Sequence, residues 1–369
     1  MSRKQKFFCI LLVLFSQFFL VLYVGAQEKH QQPIILKGEI KEIISQKTEF
    51  LPGPDIEQTV QILKVEILEG EKKGVIVELQ NDFIILKKDD RIFLNQIVGV
   101  DGVEFYTFEE IDRTQGLFYF ICFFIFIYFI FTGRRGIRSL LSLLGSFIII
   151  IYFLLPRLLA GASPLFTSVF FAIIILFIIM YITHGFNRKT TAAFLGTSIS
   201  VLLTVFIAHY AVVFTNLSGF FSDEAVYLNI GTAGMLDMRG LLLGAIIIGM
   251  IGVLDDIAIT QASAVREISE AGKHLGRKKI FAHSLCVGKD HMGASINTLA
   301  LAYTGASLPL LLLFSMSVVP WEVIVSREVF ATEIVRTVGG SFGLLFAMPL
   351  TTLFAVFLIK KKKQEIIDS

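Results

Sequence analysis

Cysteine and tryptophan are almost missing: the 369 residues hold three of the first and one of the second. Cys9, Cys122 and Cys286 lie in unlike settings, a leading apolar run, an internal apolar run and a charged stretch. They draw no disulfide framework, and no CxxC or Cys/His spacing offers zinc a site. Charge is scarce as well, at 17% of residues and a net +2, against 54% hydrophobic residues. That balance falls outside soluble domains, where about a quarter of residues are charged. No Gly-rich phosphate loop and no DDxxD motif occurs, and the N-terminal region has no basic–aromatic stripe. Nucleic acid is therefore not an expected partner, no cofactor is called for, and any metal is left unassigned.

In place of charge there are apolar runs near the ~20 residues that cross a bilayer as a helix. Seven follow the N-terminal region: Gly116–Thr132, Leu140–Leu155, Pro164–Thr183, Thr191–Phe214, Gly240–Thr260, Met292–Phe314 and Ile334–Ile359. The first 26 residues form a targeting segment. Arg3, Lys4 and Lys6 precede the apolar stretch Phe7–Val24, and Val24-Gly25-Ala26 resembles a cleavage site. The stretch is long for a signal peptide, so an uncleaved anchor stays open as the alternative.

With residues 27–115 exported, the intervening loops sort by charge. The segments expected in the cytoplasm hold Arg134, Arg135, Arg138, Arg188, Lys189, Arg266, Lys273, Arg277, Lys278, Lys279, Lys289 and Lys360–Lys363. The opposite side holds only Arg157, Arg239, Arg327 and Arg336. This is the positive-inside bias, and seven spans put the C-terminus in the cytoplasm of a bacterial cell.

Residues 27–115 read differently. Short β-type runs at Ile34–Ile43, Thr59–Leu68, Gly74–Leu79, Arg91–Gly99 and Val103–Phe108 are parted by turn-rich pieces such as Pro52-Gly53-Pro54-Asp55. Five strands in so short a stretch predict a small OB- or SH3-like barrel. The expected fold class is therefore an α-helical integral membrane protein. It has about seven transmembrane helices (116–369) after a signal peptide (1–26), with a small exported β domain (27–115) between.

The spans differ in kind. The first carries seven phenylalanines between Phe118 and Phe131 and suits lipid on every side. The fifth aligns Ala245, Gly249, Gly252 and Asp256 on one face, continuing to Thr260 and Ser263. Asn297, Ala300, Thr304 and Ser307 share a face of the sixth. Arg336, Gly340, Gly343, Ala347 and Thr351 share one of the seventh. Small residues let membrane helices approach closely, so the three faces are expected to pack together. Pro309 and Pro349 are candidate kinks, and Glu333 with Arg336 reads as a surface ion pair.

Asp255 and Asp256 are the energetic oddity, since a carboxylate in hydrocarbon costs about 2.5–3.5 kcal/mol on insertion scales. Negative charge near a helix C-terminus would oppose the macrodipole. Gln261–Ala271 is a good helix former, however, and if the helix runs on to Gly272 the pair sits mid-helix. Three roles stand open. The pair could carry a proton, because adjacent desolvated carboxylates resist holding both charges. It could coordinate a cation through oxygen, with help from Asn297 or Thr260. Or it could be structural, with Arg266 or Lys289 as counter-ion. Metal-assisted phosphate chemistry needs further acidic motifs, and Glu267, Glu270 and Asp290 lack the spacing. His274, His283 and His291 form no metal or triad pattern. No catalytic residue is assigned, and an enzyme is the less favoured class.

Gly252–Ile268 (GVLDDIAITQASAVREI), Lys289-Asp290-His291-Met292-Gly293 and Asn297–Pro309 (NTLALAYTGASLP) resemble the YibE/F-like family of bacterial membrane proteins. Glu333–Thr337 (EIVRT) and Pro349–Thr352 (PLTT) resemble its closing signature, and the resemblance runs over nearly the whole chain. Lys289 stands where that family leads one to expect arginine. The resemblance implies a multi-pass membrane protein, in some descriptions a transporter or permease. It implies no substrate, cofactor or catalytic residue. The expectation is transport of a small solute or cation around Asp255, Asp256, Asn297, Thr260 and Thr304, with the lipid bilayer as the sure partner. The rival is a non-transporting scaffold or sensor whose exported domain binds an envelope partner. Oligomeric state is not readable.

Overall fold

The computed structural model describes residues 34–50, 57–99, 103–272 and 274–359. The targeting segment, the Pro52–Asp55 turn and the basic tail from Lys360 lie outside the described residues. The chain divides into two compact units, parting between Phe126 and Ile127.

The first unit carries one antiparallel sheet of β1 (Ile34–Phe50), β2 (Glu57–Ile67), β3 (Ile76–Asn81), β4 (Arg91–Val98) and β5 (Glu104–Ile111). Their order across the sheet is β3-β2-β1-β4-β5. Period-two alternation sends Ile40, Leu63, Val65, Ile67, Leu79, Ile92 and Leu94 into one core, which Leu86 joins from the β3–β4 loop. The sheet curls: β1 carries register shifts at Ile40/Glu42 and Ile43/Ser45, where extra residues bend a strand. At Gly38 the neighbouring strands crowd in, and a Cβ would sit 2.5 Å from Val65 Cγ1 and 3.0 Å from Leu94 Cδ1. The outer strands β3 and β5 approach each other with no ladder between them, so the barrel is half closed. Lys72, in the β2–β3 turn, bridges this seam to Glu104 of β5. That hydrogen bond holds the Glu104 carboxyl below its ordinary range and the Lys72 ammonium above its own.

The rest of the described chain is helical. In order the helices are α1 (Thr114–Ile149), α2 (Leu155–Leu159), α3 (Pro164–His184), α4 (Arg188–Phe214), α5 (Asp223–Gly231), α6 (Met238–Ala271), α7 (Arg277–Ala306), α8 (Leu308–Ser315), α9 (Trp321–Ser326) and α10 (Glu328–Leu358). Among the described residues six stretches are long and apolar enough to span a membrane, and α7 with α8 makes a seventh if that bent pair counts as one span. The chain is a helical membrane protein with a small N-terminal β domain.

Several boundaries depart from the sequence expectation. The first two spans are joined through α1, which breaks at Gly133 with φ 55° and ψ −143°, a backbone that glycine adopts without strain. The second span continues through a π-helical turn, Ile150–Leu154, into Pro156 of α2. Proline has no N–H to donate, and a wider turn before it reorganises the ladder. The sixth span was expected as one helix over Met292–Phe314. Instead α7 starts at Arg277, and the span bends by 64° between Ala306 and Leu308, with Pro309 in the first turn of α8.

The tightest crossing is α4 on α10. A Cβ at Gly196 would fall 2.6 Å from Thr351 N and 2.7 Å from its Cα, so the backbones nearly touch. Next to it Ser200 Oγ donates to Gly343 O at 2.5 Å. Helix α6 runs through the centre, burying Leu242, Ile246, Ile247, Met250, Leu254, Ile257 and Ala258 against α3, α4 and α10. In the first span, Thr114–Gly133, no residue is buried.

Candidate functional site

Helix α6 continues without a break from Met238 to Ala271 and is closed by Gly272, whose N–H bonds Ile268 O. Asp255 and Asp256 therefore lie mid-helix, and the macrodipole does not oppose them. Consecutive residues point about 100° apart, so the two carboxylates have different neighbours. Asp255 is half-buried, and its Oδ1 is shielded from solvent with no hydrogen-bond partner. Asp256 is 67% exposed and faces α7, where His291 Nε2 lies 3.6 Å from its Oδ2. At that distance the two attract only when the imidazole is protonated. That nitrogen is itself buried and makes no hydrogen bond. Two adjacent helices thus bring the Asp256 carboxylate and the His291 imidazole together, while Asp255, next in sequence, turns an unused oxygen elsewhere. Among the described residues no group of three His, Cys, Asp or Glu is placed to hold a metal ion.

Thr260, one turn beyond Asp256, is exposed. Ser263 on the same face accepts a hydrogen bond from Lys189 Nζ at 3.1 Å, which ties α6 to the start of α4. Asn297 is exposed on α7, six residues after His291 and so about 120° around the helix from it. The structure does not bring Asn297 to the aspartates.

Thr304 belongs to another place. It lines a pocket of about 340 Å³ where α7 breaks, together with Tyr303 and Ser307, Leu310 and Leu311 of α8, and Phe330, Glu333, Ile334, Thr337 and Val338 of α10. Thirteen residues of helix separate Thr304 from His291, about 20 Å along the axis. Beside the pocket, Arg336 Nη1 donates to Glu333 Oε1 at 2.7 Å. The guanidinium lies over the Phe221 ring at 5.2 Å and near Tyr303 at 5.9 Å. Side-chain exposures of 17% and 23% make this pair part of the packing, unlike the surface pair the sequence suggested.

The small-residue faces are divided. Gly340, Gly343 and Ala347 are buried, Gly340 against Leu299 and Gly343 against Met250. Ala245, Gly249 and Gly252 lie on the exposed side of α6. Gly249 makes room for Tyr303, whose hydroxyl would be 2.5 Å from a Cβ there, and Gly252 faces open space. The physical reason is the larger apolar face opposite, which takes the interior. One polar residue passed over in the sequence is prominent here. Gln261 is buried and donates to Ser284 O at 2.9 Å and to Thr352 Oγ1 at 2.7 Å, joining α6, α7 and α10. An amide inside an otherwise apolar helical face was the available signal.

The family model described as YibE/F-like protein matches residues 120–361, which takes in the aspartates, the broken span and α10 and leaves the β sheet outside. Neither a curated protein nor a solved structure matches the chain.

Proposed function

The chain belongs to the YibE/F-like family, and from that premise we propose that it transports a small solute or ion across the bacterial cell membrane. The observation that carries this reading is the break in the sixth span. Backbone that leaves helical geometry at membrane depth is tolerated where it is buried in protein or lines a cavity. Here the break opens onto the pocket holding Thr304, Ser307, Thr337 and Glu333. Discontinuous helices with ligand groups at their broken ends are a recurrent transporter device. The Asp255–Asp256–His291 cluster, about 20 Å along α7 from that pocket, supplies a second centre for a proton or cation. A centre at each of two depths suits coupled movement.

The test is flux in proteoliposomes, with protons followed by a trapped pH dye and cations by trapped indicators. Asp255→Asn and Asp256→Asn are expected to cut flux by at least about tenfold, the effect of losing ~1.4 kcal/mol at a limiting step. Glu333→Gln is expected to slow it too. No flux above empty vesicles from the wild type would sink the proposal, and equal flux from all three variants would remove these residues from the path.

The orientation belongs to the same reading: β unit outside, C-terminus in the cytoplasm, as the basic residues of the connecting segments favour. A reporter fused after Lys363 is expected to give a cytoplasmic signal. An external signal would invert the arrangement.

A further inference from the structure

The β3–β4 loop shows its apolar side chains to the outside. Phe83 is 78% exposed and Ile85 62%, with Ile84 between them at 37%. This is not a slack loop. Gln61 and Asn81, both fully buried, hold it from within. Gln61 Nε2 donates to Leu86 O at 3.0 Å, and Gln61 Oε1 accepts from Leu86 N at 2.8 Å. Asn81 Nδ2 donates to Ile84 O at 2.6 Å, and Asn81 Oδ1 accepts from Phe83 N at 3.3 Å. Leu86 turns into the core at 1% exposure, which leaves Phe83 and Ile85 no way in. Burying two amides is unfavourable unless they are fully bonded, and here their bonds fix an apolar tip in a set conformation.

The position of the tip says what covers it. The loop ends at Arg91, whose carbonyl accepts from Asp112 N at 2.8 Å. Asp112 in turn accepts from Thr114 N, the first residue of α1. The Phe83 ring lies 6.4 Å from that of Phe108, three residues before β5 ends. All of this lies in the first unit, and the tip therefore stands at the end of the sheet from which the chain enters its first membrane span. Two residues, Asp112 and Arg113, separate β5 from that span, so chain connectivity holds this end of the sheet at the bilayer surface.

We infer that Phe83, Ile84 and Ile85 form a membrane anchor that enters the headgroup–acyl boundary beside the first span. Apolar side chains at such a boundary sit about 5–10 Å deep. Lys87 and Lys88 stand against Asp82, Asp89 and Asp90, a net of −1 for the loop, so the attraction is apolar and does not need anionic lipid. This inference does not depend on transport.

The test uses the full-length protein in phosphatidylcholine nanodiscs. Trp321, which is exposed, is the only tryptophan, and Trp321→Phe clears the background. Phe83→Trp or Ile85→Trp is then added as the probe, with Val98→Trp at the far end of the β4–β5 ladder as control. Emission from both loop probes is expected to be blue-shifted and to lose intensity in lipid brominated near the headgroup. The shift is expected to persist in high salt, and the control to show neither effect. Water-like emission from the loop probes would overturn the inference. So would a blue shift without bromine quenching, which would mean a protein partner, or equal quenching of the control.

Discussion

Gly196→Val is expected to be the most damaging single substitution in the membrane unit. The new side chain would have to occupy space held by the Thr351 backbone, 2.6 Å from its nitrogen and 2.7 Å from its Cα. Backbone cannot swing aside as a side chain can, so α4 and α10 must separate. Separation also breaks the bond from Ser200 Oγ to Gly343 O and uncovers Thr204 and Ala347. Overpacking a core costs about 1–3 kcal/mol and occasionally more, and the top of that range is expected here. For a unit of this size that lowers the melting temperature by roughly 10 °C. Thermal unfolding in detergent, read beside size-exclusion profiles, checks it. A valine variant that melts with wild type would show that α4 and α10 part without cost. Gly196→Ala is expected to fall between.

Removing the Glu328 carboxylate is expected to come second. Glu328 opens α10, and its side chain reaches the loop after α4, where one carboxylate gathers four donors. These are Ser218 N at 2.8 Å, Gly219 N at 2.6 Å, Phe220 N at 3.1 Å and the Ser218 hydroxyl at 2.7 Å. Negative charge at a helix N-terminus is favourable in itself. Gly219 completes the joint: its φ is 91°, and a Cβ would lie 2.5 Å from the Met238 carbonyl carbon. Glu328→Ala leaves the N–H groups of Ser218 and Gly219 without an acceptor, and Phe220 N with only the Ser218 hydroxyl at 3.3 Å. Hydrogen bonds to charged groups contribute about 1.5–3 kcal/mol each at most, and water will satisfy part of what is lost, so about 3 kcal/mol in total is expected. Glu328→Gln keeps an accepting oxygen and is expected to lose about a third of that. The same melting assay distinguishes them, and a glutamine variant as stable as wild type would refute the role of charge.

Legibility followed the strength of each physical signal. All five strands were readable because alternation of apolar residues has a strict period in a half-buried strand. The far half of β1 was not, since Ser45, Gln46, Lys47 and Thr48 are polar on both faces and only pairing with β2 makes them a strand. Membrane spans were readable from length and apolarity. The start of α7 was hidden because Arg277–His291 is charged and looks like a loop, although it is helix. The break at Ser307 was signalled by Pro309 alone, and a proline does not announce its bend angle. Periodicity put Gly340, Gly343 and Ala347 on one face but could not say which neighbour that face meets. For α6 the same reasoning pointed to a stripe that lies outward, because the opposite face is larger and more apolar. The aspartates were found by cost, whereas His291 beside Asp256 needs the fold, the two being 35 positions apart on separate helices.

The unburied first span has a consequence for mutation. A span with no buried residue is constrained mainly by length and apolarity, so the order of residues along Thr114–Gly133 is expected to carry little information. Its phenylalanines can be shuffled or exchanged for leucine at small cost, whereas a single methyl at Gly196 is felt at once. Within one chain, tolerance and intolerance thus belong to spans of nearly equal hydrophobicity, and hydropathy alone would rank them the same.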